Sequence, residues 1–360
     1  MSVFSTAARR AAVPRVRAES SPAPVAAWLF CCCAMILVMV ILGGITRLTQ
    51  SGLSITKWQP VIGVIPPLSH AEWMTEFNRY KAIPQYDAIH YGMTLGQFQW
   101  IFFWEYLHRL WGRLIGFVFI LPLLYFLVRQ RLPRRLGPPL FGIFLLGGAQ
   151  GALGWYMVES GLVHRISVSQ YRLVAHLALA LLIYAAILWV GLSLARGPAS
   201  HDAPAPRWRR AAEAVLALVA VTIAAGGFTA GLHAGLVYNT FPLMDGRFVP
   251  ASYARLHPFW LNWFANVAAV QFDHRILAYT TLTAIVCLAA AGLCARLPRP
   301  AKGALGALLA VVLLQVALGV SILLLVVPIP LAVAHQANAV LLLTAALVFR
   351  HTLRRSGATG

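Results

Sequence analysis

The chain has 360 residues, of which 60% are hydrophobic and only 11% charged, with a mean hydropathy of +0.74. Soluble domains carry about 25% charged residues, so this composition excludes one and describes an integral membrane protein. The formal charge of +19 does not point to nucleic acid, because eighteen of the 29 Lys and Arg residues fall in five short polar segments on one side of the expected membrane. By the positive-inside rule those segments are cytoplasmic, and so are both termini.

In chain order, a basic tail (1–25) with Arg9, Arg10, Arg15 and Arg17 leads into the first apolar run. The Arg- and Ser-containing start resembles a mitochondrial presequence. It is nevertheless short, runs directly into the first helix, and suits the positive-inside tail of a protein in a bacterial inner membrane, with the mitochondrial inner membrane as the alternative. Eight runs are long enough to cross a hydrocarbon core of about 30 Å: 26–46, 100–128, 137–158, 170–195, 211–232, 267–294, 303–327 and 330–349. The expected fold is therefore an all-α integral membrane protein with two tandem, pseudo-symmetric four-helix bundles. The first spans 26–195 and includes a long outer loop, 48–99; the second spans 211–349. A cytoplasmic linker, 196–210, joins them, and a cytoplasmic tail, 350–360, follows. Cys31, Cys32, Cys33, Cys287 and Cys294 all fall within the expected helices, so no structural disulfide is expected.

The duplication is visible in the residues. GGITRLTQSGLS (43–54) closes the first helix and GGFTAGLHAGLV (226–237) the fifth, with Gly43, Gly44, Thr46, Gly52 and Leu53 repeating at an offset of 183. Proline and aromatic punctuation follows both copies, at Trp58, Pro60, Pro66 and Pro67, and at Phe241, Pro242 and Pro250. Four helices per copy give both halves the same orientation across the membrane.

Helices two and four of each half carry a histidine: His108 and His176, then His274 and His335. At about 1.5 Å per residue, counted from the cytoplasmic arginines, all four lie toward the outer side as two level pairs. An ionisable side chain at such a position is costly unless it has a partner or a function. One helical histidine is readily explained by an interhelical hydrogen bond. Four in matched pairs indicate metal or haem, and the core of a four-helix bundle holds such groups. Zinc asks for three or four ligands, commonly with thiolate or carboxylate; two neutral imidazoles on facing helices suit the two axial positions of a haem iron.

Arg109 and Arg275 follow the helix-two histidines directly, Arg113 lies a turn beyond Arg109, and Arg172 a turn before His176. Haem propionates and the membrane surface are alternative partners for these four cations. The segments WEYLHR (104–109) and VQFDHR (270–275) align on His-Arg, which sets Glu105 against Gln271. Glu105 shares a helix face with His108. It is a candidate for proton exchange, with an ion pair to Arg109 as the alternative. Asp273 stands where the first copy has Leu107 and points off the histidine face, as a supporting or interface residue. His70, His90, His164, His233 and His257 in outer segments, and His201 and His351 on the cytoplasmic side, are expected in loop or surface packing. Trp58, Trp73, Phe77, Tyr80 and Tyr86 of the outer segment suggest a lid against the membrane surface, with aromatics suited to an interfacial belt or to shielding a bound haem.

Together GGITRLTQSGLSITKWQPVIGVIPP (43–67), WEYLHR, YRLVAH (171–176), GGFTAGLHAGLVYNTFPLMDG (226–246), VQFDHR and LAVAHQANA (331–339) make nearly the whole chain resemble the haem A synthase family. Each motif alone is weak; their order and repeat spacing are specific. The resemblance implies oxidation of the C8 methyl of haem O to the formyl of haem A, through hydroxylated intermediates, with water as the oxygen source. It implies His108 and His176 as ligands of the substrate haem and Glu105 as the catalytic carboxylate. It also implies a permanent haem b held by His274 and His335. The haem O-producing farnesyltransferase and membrane lipid are the partners this suggests; the electron acceptor has no signature. Outer-loop cysteine pairs, carried by some members, are missing here, as in the branch shared by proteobacteria and mitochondria. A di-haem cytochrome confined to electron transfer would predict equivalent sites, against which stands Glu105 opposite Gln271. A transporter would account for the duplication but not for four ligand-type histidines.

Overall fold

The computed structural model describes residues 22–58, 62–162, 165–196 and 205–354. The basic residues of the N-terminal tail, Pro60, His164, His201 and the chain beyond 354 lie outside that description. Ten α-helices follow in order: α1 (Ala23–Leu48), α2 (His70–Tyr80), α3 (Leu95–Val128), α4 (Gly137–Leu162), α5 (Gln170–Ala195), α6 (Pro206–Gly231), α7 (Asn262–Ala265), α8 (Val267–Cys294), α9 (Arg299–Leu324) and α10 (Ile329–Thr352). All but α2 and α7 are long and apolar enough to cross a membrane, which makes eight spans among the described residues.

The expected runs 170–195 and 267–294 coincide with α5 and α8. Other helices begin earlier than hydropathy alone places them, because polar caps start them. Thr94 and Gln97 form a capping box that opens α3: the Gln97 amide donates to Thr94 Oγ1 at 3.3 Å, and the Thr94 amide donates to Gln97 Oε1 at 2.8 Å. Prolines at the first turn start α6 and α9, where a missing N–H has no cost. Asn266 caps α8 by accepting from Ala268 and Ala269.

Each half closes as a ring of four. In the first, α1 lies between α3 and α5, and α4 completes the circle; α6, α8, α9 and α10 repeat the arrangement. The halves meet through α1 against α10 and through α5 against α6, contacts that the duplication exchanges. Arg47, in the last turn of α1, donates from Nη1 to the carbonyl of Ala230, its own counterpart in the repeat, at 3.1 Å. Lipid offers apolar side chains no gain from burial, so close packing and hydrogen bonds hold such helices together. Gln336 of α10 shows both effects, donating to the Val40 carbonyl at 2.8 Å while resting where a Cβ on Gly44 would stand 2.8 Å from its Oε1. The stripe Phe117, Leu121, Leu124 and Val128 on α3 is exposed, at the spacing of one helix face, and forms a lipid-facing surface.

The outer segment corrects one expectation. Phe77 and Tyr80 are not part of an interfacial belt: with Leu53, Ile83, Phe98, Ile101 and Phe102 they form a buried second core. Trp73 packs edge-on against Phe102 at 5.0 Å between centroids. Of the lid aromatics, Trp58 is the one classed as exposed. The physical reason is the helix α2, whose Ser69–Glu72 capping box organises the segment so that its apolar face folds down onto the start of α3.

Candidate functional site

The four histidines sit on α3, α5, α8 and α10. Within each ring the two bearing helices stand across from each other, flanked by α1 and α4 or by α6 and α9. His108 and His176 therefore share one ring, and His274 and His335 the other. The structure thus brings together the pairs that the sequence groups.

A regularity beyond the sequence expectation holds all four rings. Each imidazole presents its Cε1 to a glycine on a flanking helix, placed so that a Cβ there would stand 3.0 Å away. The partners are Gly43 for His108, Gly154 for His176, Gly226 for His274 and Gly319 for His335. Cε1 lies between the two ring nitrogens, so this contact limits both the tilt and the rotation of the ring. The duplication marks Gly43 and Gly226; Gly154 and Gly319 carry a weaker signal, a repeat of 165 shared with Gln150 and Gln315.

The hydrogen bonds around the rings differ between the halves. His274 Nδ1 lies 3.2 Å from the Thr222 carbonyl, so Nδ1 carries the proton and Nε2 keeps its lone pair, the state of an imidazole that ligates iron. The Gln315 side-chain amide stands 3.2 Å from the His335 carbonyl and 3.3 Å from its Nε2, and its Oε1 accepts from Asn338 at 2.7 Å. In the first half Gln150 donates to the His176 carbonyl at 3.0 Å. The Nδ1 atoms of His108, His176 and His335 are buried without a partner. Among the described residues no three His, Cys, Asp or Glu side chains gather as a metal site. The donor set in each half is two imidazoles, which fits axial haem ligation.

Glu105 is 3% exposed. Its Oε2 accepts from Ser54 Oγ at 2.7 Å and from the Ile55 amide at 2.8 Å. Its Oε1 accepts from Arg109 Nη2 at 2.6 Å and Nε at 3.1 Å. The alternative ion pair with Arg109 is therefore formed. The same guanidinium donates to the Ile55 carbonyl at 3.0 Å and the Lys57 carbonyl at 3.5 Å, fastening the turn after α1 onto α3. Arg275 does likewise in the second half, reaching the Tyr238 and Thr240 carbonyls at 2.9 and 3.0 Å. Gln271 donates to the Tyr238 carbonyl at 3.1 Å. Ile55 and Tyr238 are equivalent in the repeat, so the contact reverses polarity: a carboxylate accepts in one half, and an amide donates in the other.

Arg172 lies over Tyr156 at 4.3 Å from the ring centroid and donates to its hydroxyl at 3.1 Å. Arg113 lies on α3 one turn beyond Arg109. Asp273 accepts from the Tyr253 hydroxyl at 2.9 Å, anchoring the second outer loop on α8. Tyr80 contacts His90 Nδ1 at 2.5 Å. Burial holds the His90 pKa below its usual value; burial and then the charge of Glu105 push the Tyr80 hydroxyl up. The buried lid core thus adjoins the carboxylate. His70, at the start of α2, and His257, in a loop, are exposed, as expected. His351 departs from its expected surface role: it is buried, 3.2 Å from Ser193 Oγ and edge-on to Trp189, because α10 extends inward beyond the expected run.

A family model described as cytochrome oxidase assembly protein (COX15-CtaA) matches residues 26–347. Relatives named haem A synthase extend over nearly the same length. That of Nitrosospira multiformis is 50% identical over 335 residues, 92% of this chain and 94% of the other. That of Rhodospirillum centenum is 51% identical over 344 residues, 94% and 90% of the two chains. That of Granulibacter bethesdensis is 51% identical over 337 residues, 93% and 88%.

Proposed function

Because the chain belongs to the COX15-CtaA family of cytochrome oxidase assembly proteins and relatives sharing half of its residues are named haem A synthase, we infer that it is an oxidoreductase making haem A from haem O. It is a multi-pass membrane protein and haem is central to its activity. The reaction we assign is oxidation of the C8 methyl of haem O to a formyl group, through hydroxylated intermediates, with oxygen from water and the electrons passed to a membrane electron acceptor.

One observation carries the division of labour: the buried carboxylate of Glu105 accompanies only the first histidine pair. Haem O accordingly belongs in the first half, between His108 and His176, where Glu105 takes a proton from the methyl or from the attacking water. Haem b belongs in the second half, between His274 and His335, and when bound it supplies a one-electron redox centre. The Thr222 bond to His274 favours this assignment. A ligand whose Nδ1–H is held by a neighbouring carbonyl is oriented for a resident cofactor. Propionate pairing with Arg109, Arg113, Arg172 and Arg275 rests on charge and level. Arg109 and Arg275 already hold turn carbonyls, so a propionate shares them with the backbone. The basic inner segments support a bacterial inner membrane with both termini in the cytoplasm. A haem handed between membrane enzymes makes the haem O-forming farnesyltransferase a partner.

Haems extracted from the purified protein, produced in cells that make haem O, test this reading. Haem b together with haem O or haem A is expected; haem b alone would reduce the protein to an electron-transfer cytochrome. A second measurement addresses the glycine contacts. Gly226→Ala and Gly319→Ala should fold, since alanine is the better helix former by roughly 1 kcal/mol, yet each displaces an imidazole and should alter the low-spin ferric electron paramagnetic resonance signal of haem b. Gly306→Ala, at a site with nothing within 4 Å of the added Cβ, is the control. Signals equal to wild type in both test variants would show that the rings have room to spare.

A further inference from the structure

The Glu105 carboxylate receives four donors on two oxygens: Ser54 Oγ, the Ile55 amide, and Nε and Nη2 of Arg109. That fills its lone-pair directions, so a group meant to take a proton has nowhere to put one until a donor withdraws. The Ile55 amide is fixed in the backbone. The Arg109 guanidinium is pinned by the carbonyls of Ile55 and Lys57. Ser54 differs from both: it is 1% exposed, its hydroxyl turns about one bond, and a second acceptor, the Ile101 carbonyl on α3, lies 3.4 Å from its Oγ.

We propose that Ser54 is a positioning residue of the reaction, a donor that turns between Glu105 Oε2 and the Ile101 carbonyl as the carboxylate gains and loses a proton. The inference rests on Glu105 being the proton acceptor. With the hydroxyl on Oε2 the carboxylate is held as an anion, aimed and desolvated. When Glu105 accepts a proton, the Ser54 O–H remains intact and swings to Ile101, and the new proton occupies the direction it vacated. When the proton leaves for water, the hydroxyl returns. No buried donor is left unpaired at either stage, which otherwise costs about 1–3 kcal/mol. The second half has no such device: Val237 stands at the position of Ser54, and Gln271 donates to the turn instead of accepting from it. The two halves therefore differ at the reacting level by a linked pair, Ser54 with Glu105, rather than by one carboxylate.

The test uses the full-length protein in membranes supplied with haem O, comparing Ser54→Ala, Ser54→Thr and Glu105→Ala. Ser54→Ala is expected to lose at least about tenfold in kcat with KM for haem O within about twofold, the pattern of an interaction used only in the reaction. Its reduced-minus-oxidised b-type spectrum should remain that of wild type. Ser54→Thr, which restores the hydroxyl, should recover most of the turnover. A Ser54→Ala variant with wild-type kcat overturns the proposal, as does one whose loss lies in KM or in the b-type spectrum, since either marks a merely structural role. A spectrally normal Ser54→Thr as slow as the alanine variant also counts against it. Full turnover by Glu105→Ala would instead remove the underlying reading of Glu105, which separates the two failures.

Discussion

Replacing Glu105 with Ala or Gln should stop haem A formation while leaving the protein folded and haem b in place. A positioned proton acceptor contributes about 10²–10⁴-fold to a rate, so haem O should accumulate and haem A fall at least a hundredfold by that measure. The glutamine variant is the stricter test. It keeps an acceptor oxygen for Ser54 and Ile55, and Arg109 retains the Ile55 and Lys57 carbonyls. The loss of the buried ion pair, whose side chains are 14% and 3% exposed, is thereby softened. Haems extracted from cells producing each variant decide: normal haem A removes Glu105 from the mechanism, whatever the fate of its neighbours.

The second large effect is expected at the other pair. His274→Ala or His335→Ala should abolish the b-type reduced-minus-oxidised spectrum of the purified protein, because each removes one of two axial nitrogens and leaves a cavity facing Gly226 or Gly319. The variants should still insert as eight spans, since the apolar runs that cross the membrane are unchanged. Haem A formation should fall with the spectrum if the second site relays electrons from the first. An unchanged b-type spectrum would return His274 and His335 to ordinary interhelical packing.

The eight spans, their pairing into two halves and the grouping of the histidines were legible in the chain because each follows from a one-dimensional property. Apolar run length decides what can cross a bilayer, and a repeat offset needs no geometry to be seen. Helix starts were less legible: α3 begins at Leu95 and α6 at Pro206, where capping chemistry rather than hydropathy sets the end. The lid differs in kind from what its composition suggests. Phe77 and Tyr80 have the composition of a membrane belt, yet α2 turns them onto Phe98 and Phe102, and burial depends on a neighbour that is distant in sequence.

At the candidate site the sequence alone supplied the residue types: two imidazoles per half, and a carboxylate on one face with His108. Helical spacing determines a shared face, so that much is local. What only the tertiary structure decided is what surrounds them. Glycines on flanking helices lie against all four rings, the turn after α1 folds back to give Glu105 its donors from Ser54 and Ile55, and the equivalent turn meets Gln271 with a carbonyl. These contacts join segments distant in the chain or on separate helices, and the sign of the hydrogen bonds among them depends on whether an N–H or a C=O is turned inward. That orientation is fixed by the packing of whole helices against one another, which no residue spacing encodes.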